Sequence, residues 1–163
     1  QMREYDNLFV IRSVTKFYGM PGIRFGYGIA AERLIDTLQT VRQPWTINSL
    51  AAFAASAAFK DKEFIENTKL TVAKQRTQFA QMLSQIGDLH VFPSETNFLL
   101  VKILNRKTTS TALREKMAEK GILIRDCSTF VGLDDSYFRV TVRSAEDNKK
   151  LVGIMENTIK KGK

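Results

Sequence analysis

The spacing of apolar residues changes several times along the chain. Leu8-Phe9-Val10-Ile11 is a short continuous apolar run ending at Arg12-Ser13, which predicts a buried strand that delivers the following segment from its carboxyl end. Residues 23–30 alternate less cleanly, and Gly26 and Gly28 predict a second strand closely approached by another backbone or a ligand. From Ala31 the period becomes helical, with Leu34, Ile35, Leu38 and Val41 on one face until Pro44 stops the run. Asn48 or Ser49 can cap a second helix over 50–59, whose many alanines permit tight packing. A longer helix over 61–86 follows from Ile65, Val72, Phe79 and Ile86 at seven-residue spacing beside Met82 and Leu83, and Gly87 ends it.

Beyond Gly87 the elements shorten. Residues 89–92 and 97–103 read as strands around a Pro93-Ser94 turn, and a helix over 110–120 carries Leu113 and Met117 inward and closes at Gly121. Residues 122–125 read as a strand ending in charge. Over 137–143 the alternation is strict, with Phe138, Val140 and Val142 on one face and Arg139, Thr141 and Arg143 on the other. Ser144 can cap a final helix whose buried stripe is Leu151, Ile154, Met155 and Ile159. These pieces predict a compact α+β unit packed through one sheet face, without repeats.

Composition narrows the function classes. A chain of 163 residues with 44% apolar content fits an ordinary globular fold. No apolar run approaches the roughly 20 residues of a membrane span, and no charged-then-apolar leader opens the chain, so a cytoplasmic protein without a membrane partner is expected. One cysteine, Cys127, and one histidine, His90, leave no internal disulfide and no Cys/His zinc cluster. Cys127 reads as a small buried side chain at a strand end in preference to a reactive thiol near Arg125, and His90 reads as structural. The formal charge of +8 raises the question of nucleic acid. The lysines, however, are scattered over helix faces (Lys60, Lys62, Lys69, Lys74, Lys149, Lys150) or gathered in a frayed tail (Lys160, Lys161, Lys163), with no aromatic-interleaved stripe. No nucleic-acid partner is expected.

The densest chemistry lies in Ser13-Val14-Thr15-Lys16 and the glycine-punctuated loop Phe17-Tyr18-Gly19-Met20-Pro21-Gly22-Ile23-Arg24-Phe25-Gly26-Tyr27-Gly28. A lysine amine that condenses with an aldehyde needs a partly desolvated or cationic setting, which Arg24 can supply. An anionic group beside it wants short hydroxyl donors and a forked guanidinium, and Ser13, Thr15 and Arg24 are such groups. Ser13 to Lys16 also satisfies the Ser-x-x-Lys motif of penicillin-recognising enzymes, but no Ser-Asp-Asn or Lys-Thr-Gly accompanies it. No Walker A loop is present. Arg139 points away from the apolar face of its strand. On residues alone, a carboxylate-binding arginine and a salt-bridged surface arginine are equally good readings.

The Lys16 segment resembles the fold-type I pyridoxal-phosphate enzymes of the class I/II aminotransferase family, in the branch that holds histidinol-phosphate aminotransferase and threonine-phosphate decarboxylase. Three further runs are similar to the decarboxylase side of that branch: residues 42–48, residues 122–133 and the strand from Phe138 to Arg143. The resemblance implies that Lys16 is the catalytic lysine tethered to pyridoxal 5'-phosphate, with Arg24, Ser13 and Thr15 on the cofactor phosphate. It implies that Arg139 binds the anionic end of a small phosphorylated amino-acid substrate and that Arg125 holds the substrate phosphate opposite it. Arg12 and Arg143 are further cations of lower rank, and Trp45 is a domain-packing residue.

The fold so implied is α/β. Residues 1–60 would be the C-terminal part of a PLP-transferase large domain, joined by a long helix over 61–87 to a small α+β domain over 88–163. Family members are longer and Gln1 is an unnatural start, so a C-terminal fragment is expected. The aspartate, ring-stacking aromatic and glycine-rich phosphate segment of the family would lie upstream. The implied reaction converts L-threonine O-3-phosphate to 1-amino-2-propanol O-2-phosphate and carbon dioxide, a step toward the cobalamin side chain, in a homodimer. The alternatives are histidinol-phosphate amino transfer and a non-catalytic binding or dimerisation module.

Overall fold

The computed structural model describes residues 5–105 and 107–160. Gln1, Lys161 and Lys163 lie outside the described residues. The chain falls into two compact units that meet in sequence between Thr68 and Lys69.

The first unit is built on a two-stranded antiparallel ribbon, β1 (Phe9–Ser13) and β2 (Gly26–Ala30), in register from Phe9 opposite Ala30 to Ser13 opposite Gly26. The close approach expected at the glycines is present. A Cβ on Gly28 would run into the Phe9 ring, and one on Gly26 would lie 3.0 Å from the Arg12 carbonyl oxygen. The expectation of a buried β1 is corrected: Leu8, Phe9 and Ile11 are exposed, Ile11 by 75%. An apolar run reports what a strand could bury, and a two-stranded ribbon supplies little to bury it.

Between the strands lie a one-turn helix, α1 (Val14–Phe17), and a 3₁₀ turn, Pro21–Ile23. After β2 come α2 (Glu32–Val41) and α3 (Ser49–Lys60). Asn48 is the cap of α3, its Oδ1 accepting from the Ala51 N–H at 2.8 Å. The alanine-rich helix buries Ala51 and Ala55 while Leu50 and Phe53 stay exposed.

α4 (Lys62–Ser84) begins in the first unit and ends in the second. It stops two residues short of the expected 61–86, and the seven-residue stripe is graded, with Ile65 and Val72 half-buried, Phe79 buried and Ile86 buried just past the helix end. The second unit continues with β3 (Leu89–Val91), β4 (Phe98–Ile103), α5 (Ser110–Ala118), β5 (Arg125–Asp126), β6 (Tyr137–Thr141) and α6 (Ala145–Lys160). The four strands form an antiparallel sheet in the order β3-β4-β6-β5. Leu99, Val101 and Ile103 of β4 and Phe138 and Val140 of β6 face one way, and Phe79, Leu83, Leu113, Met117, Leu151, Met155 and Ile159 join them in one core. Alternation in the strands and helical spacing in α4, α5 and α6 meet on that face.

Three further boundaries differ from expectation. The strand expected over 122–125 is reduced to Arg125–Asp126, and Leu123 is 84% exposed. Gly121, at φ 73°, turns the chain so that the Ile122 N–H bonds back to the Met117 carbonyl at 3.0 Å, a helix-closing bond in place of a ladder bond. β6 stops at Thr141 because the Arg143 backbone is claimed by buried Asn148, whose Oδ1 accepts from the Arg143 N–H and whose Nδ2 donates to the Arg143 carbonyl, both at 3.0 Å. Lys160, expected in a frayed tail, is the last residue of α6 and pairs with Glu156 at 2.6 Å.

β5 is too short to be held by its ladder alone. Asp126 latches it to the start of α5, accepting from Ser110 Oγ at 2.8 Å, Thr111 Oγ1 at 2.7 Å and the Ser128 N–H at 2.9 Å. Partial burial pushes this carboxyl upward, but the hydrogen bonds from Thr111, Ser128 and Ser110 outweigh it and hold the group well below the usual carboxylate range.

Two stability outcomes follow. Phe79→Ala empties the centre of the core and is expected to cost about 3–5 kcal/mol in urea denaturation. Because the folded-state pKa of Asp126 is depressed, its stabilisation is complete above the unfolded value of about 3.9 and is lost as pH falls below that toward the folded value. Unfolding curves from pH 6 to pH 3 should therefore decline more steeply for the native chain than for Asp126→Ala.

Candidate active site

Lys16 lies on α1, a single helical turn where a loop was expected. Ser13 is extended (φ −123°, ψ 140°) and caps that turn. Its Oγ accepts from the Thr15 N–H at 3.1 Å and donates to Thr15 Oγ1 at 2.8 Å. With the Ser13 proton given to Thr15, the Thr15 hydroxyl keeps its own proton for an outside acceptor. Val14 is fully buried, and its N–H donates to the Phe25 carbonyl at 3.3 Å.

Immediately after Lys16, Phe17 and Tyr18 enter an aromatic cluster. Phe17 meets Phe64 edge-on at 6.4 Å, Tyr18 meets Phe59 at 5.6 Å and stacks with Phe64 at 6.0 Å, and Tyr27 meets Phe59 at 5.3 Å. Val14 on one side and the two rings on the other are packed, so the exposed Lys16 is carried by anchored neighbours. Sequence reading missed this cluster. Its available signal was the crowding of Phe17, Tyr18, Phe25 and Tyr27, since no periodic pattern links them to Phe59 and Phe64.

Arg24 adopts a left-handed backbone (φ 57°, ψ 52°), and its Nη1 donates to the Pro21 carbonyl at 3.1 Å. For a non-glycine residue that backbone costs about 1 kcal/mol or more. Because the ribbon register ends at Ser13 opposite Gly26, Arg24 lies at the same end of the ribbon as Ser13 and Thr15. Two hydroxyls and a guanidinium thus gather at one end of the ribbon. This donor set matches the chemistry of a phosphate ester. Trp45 is also left-handed (φ 62°) and is 96% exposed.

The second unit places Arg125 and Arg139 directly opposite each other across β5 and β6, on the sheet face away from the core. The Arg139 guanidinium lies 4.6 Å from the Phe98 ring centroid and that of Arg125 lies 5.5 Å from the Phe130 ring. Neither side chain forms an ion pair or hydrogen bond with any described residue, whereas Arg76 pairs with Glu95 at 2.7 Å and Arg143 with Asp147 at 3.0 Å. Among the described residues Arg139 is therefore not a salt-bridged surface arginine. Arg12, the other low-ranked cation, is exposed on β1. Cys127 is the small buried side chain expected, its Sγ–H donating to the Arg125 carbonyl at 3.6 Å. Burial pushes its thiol up against the lowering pull of Arg139 and Arg125. His90 is exposed on β3 and meets Phe92 edge-on at 4.6 Å. Among the described residues no helix is long and apolar enough to cross a membrane, and no group of three or more His, Cys, Asp or Glu could hold a metal ion.

Comparison with known proteins gives these positions a context. A protein of Caldanaerobacter subterraneus subsp. tengcongensis, provisionally named a threonine-phosphate decarboxylase, is 41% identical over 99% of this chain and 43% of its own length. The crystal structure of the histidinol-phosphate aminotransferase from Clostridium acetobutylicum superposes with a TM-score of 0.92 at 34% identity, over 98% of this chain and 48% of that one. That of L-threonine-O-3-phosphate decarboxylase from Porphyromonas gingivalis gives 0.85 at 29% identity, over 98% and 49%. The chain thus spans under half the length of the relatives it matches. A model of the aminotransferase class I and II family matches residues 1–155, and the chain belongs to that family.

Proposed function

We propose that this chain is the C-terminal portion of a pyridoxal-phosphate-dependent threonine-phosphate decarboxylase, releasing carbon dioxide from L-threonine O-3-phosphate. The observation that carries the reading is the 41% identity to the Caldanaerobacter protein over nearly the whole chain. Histidinol-phosphate amino transfer is the second reading, favoured by the TM-score of 0.92 to the Clostridium enzyme. Both readings use Lys16 and a phosphorylated substrate; histidinol phosphate carries no carboxylate, so the carboxylate grip of Arg139 belongs to the first reading.

The donors at the end of the ribbon fit the cofactor's phosphate ester. Arg24 supplies fixed charge with donors remaining beyond its bond to Pro21, Thr15 supplies a hydroxyl whose proton is free because Ser13 donates to it, and Ser13, the cap of α1, donates to the phosphate once its hydroxyl turns from Thr15. When bound, pyridoxal phosphate supplies an electron sink conjugated with the substrate's α-carbon. Lys16 is the attachment residue, and its Nζ, exposed on an anchored turn, delivers the proton that replaces the departing carboxylate on that carbon. Arg139 grips the substrate carboxylate and Arg125 the substrate phosphate. By fixing which bond at the α-carbon is aligned for cleavage, the arginines decide between loss of carbon dioxide and loss of a proton. The longer enzyme would act as a homodimer, with α4 linking its large and small domains.

Full-length enzyme containing this chain is expected to release carbon dioxide from O-phospho-L-threonine without an oxo-acid acceptor. Acceptor-dependent amino transfer with no carbon dioxide would move the assignment to the second reading. Lys16→Ala should lower kcat by about 10²–10⁴-fold. Borohydride reduction of the cofactor-loaded enzyme followed by peptide mapping should label Lys16, and a label on another residue defeats the site assignment.

A further inference from the structure

The outward face of the four-stranded sheet carries two cations side by side. Arg125 and Arg139 are register partners, so their Cβ atoms are separated by the roughly 5 Å of direct cross-strand neighbours. Like charges in that position destabilise a sheet. A carboxylate is the usual remedy, and this chain uses it for Arg76 and Arg143. For Arg125 and Arg139 it uses rings instead, Phe130 and Phe98.

Each ring is placed by backbone bonds independent of its arginine. Phe98 lies on β4 opposite Thr141, two positions along β6 from Arg139 and on the same face. Phe130 belongs to the turn after Cys127, where its N–H donates to the Cys127 carbonyl and its carbonyl accepts from the Leu133 N–H, both at 3.0 Å.

The kind of partner has a chemical consequence. A carboxylate takes a guanidinium by its N–H edges and occupies the donors that a ligand would use. An aromatic ring attracts the cation through its π system, neutralises no charge and leaves the donors without an anionic partner. It also restrains a long side chain in advance, so less ordering remains to be done when a ligand arrives. We propose that Phe98 and Phe130 are positioning residues that hold Arg139 and Arg125 as a paired clamp for the oxyanionic groups of the substrate. This rests on the assignment of the two arginines to substrate binding, and extends it to two residues that need not touch substrate.

The test is an NMR titration of the cofactor-loaded full-length enzyme containing this chain with inorganic phosphate, following the arginine Nε–Hε signals. With the native sequence, the signals of Arg125 and Arg139 should shift together and saturate. Phe98→Leu and Phe130→Leu should each weaken the apparent phosphate affinity by about 2- to 5-fold, and Phe98→Tyr, which keeps a ring, should restore it to within about twofold. Phe130 is 41% exposed in a turn, so its variant decides the matter should Phe98→Leu fail to fold. Absence of any saturable shift with the native sequence overturns both the arginine assignment and the clamp. A saturable native shift with Phe130→Leu binding as tightly as the native enzyme overturns the role of the rings alone.

Discussion

Burial of every second residue along β4 and β6 is the constraint that orders the second unit. Leu99, Val101, Ile103, Phe138 and Val140 are all 2% exposed or less, and each such side chain contributes about 1.5–3 kcal/mol by leaving water. A slip of one residue in β6 would send Phe138 and Val140 outward and Arg139 inward, exchanging that gain for a buried unpaired charge. Nothing in the repulsion between two surface guanidinium groups approaches that penalty. Arg139 therefore faces outward because its neighbours must face inward, and its availability to an anion is a by-product of core formation.

Arg125 reaches the same face by another route. β5 has only two residues, and a strand so short has little register energy of its own. Its inward member, Asp126, is polar. The hydroxyls of Ser110 and Thr111 at the start of α5 take up that carboxylate, where the helix dipole also favours negative charge. With Asp126 turned toward the helix, pleating turns Arg125 to the other side, opposite Arg139. The core orients one arginine and a hydrogen-bonded carboxylate orients the other.

The first unit handles its lysine differently. Val14 is buried, Phe17 and Tyr18 are held among Phe59, Phe64 and their neighbours, and Ser13 caps the turn. Fixing both flanks of a one-turn helix orients Lys16 without enclosing it. Such a turn is too short to be stable alone, since helix nucleation is unfavourable, and its persistence rests on these flanking contacts.

Periodic signals are legible in the order of residues alone. The seven-residue stripe of α4, the alternation of β6, the stripe of α6 and the close approach at Gly28 each follow from local rules of spacing and size that a linear chain displays. The hydroxyls, lysine and arginine of the first unit are legible too, because their chemistry is contained within twelve residues. Residue order therefore dictates which elements form and which side chains carry charge. Folding in three dimensions settles the rest: 122–124 leave the ladder for a helix-closing bond, and Arg139 lies against Phe98, 41 residues away in sequence. Those outcomes depend on which distant groups compete for the same backbone or cation, and that competition exists only once the chain is folded.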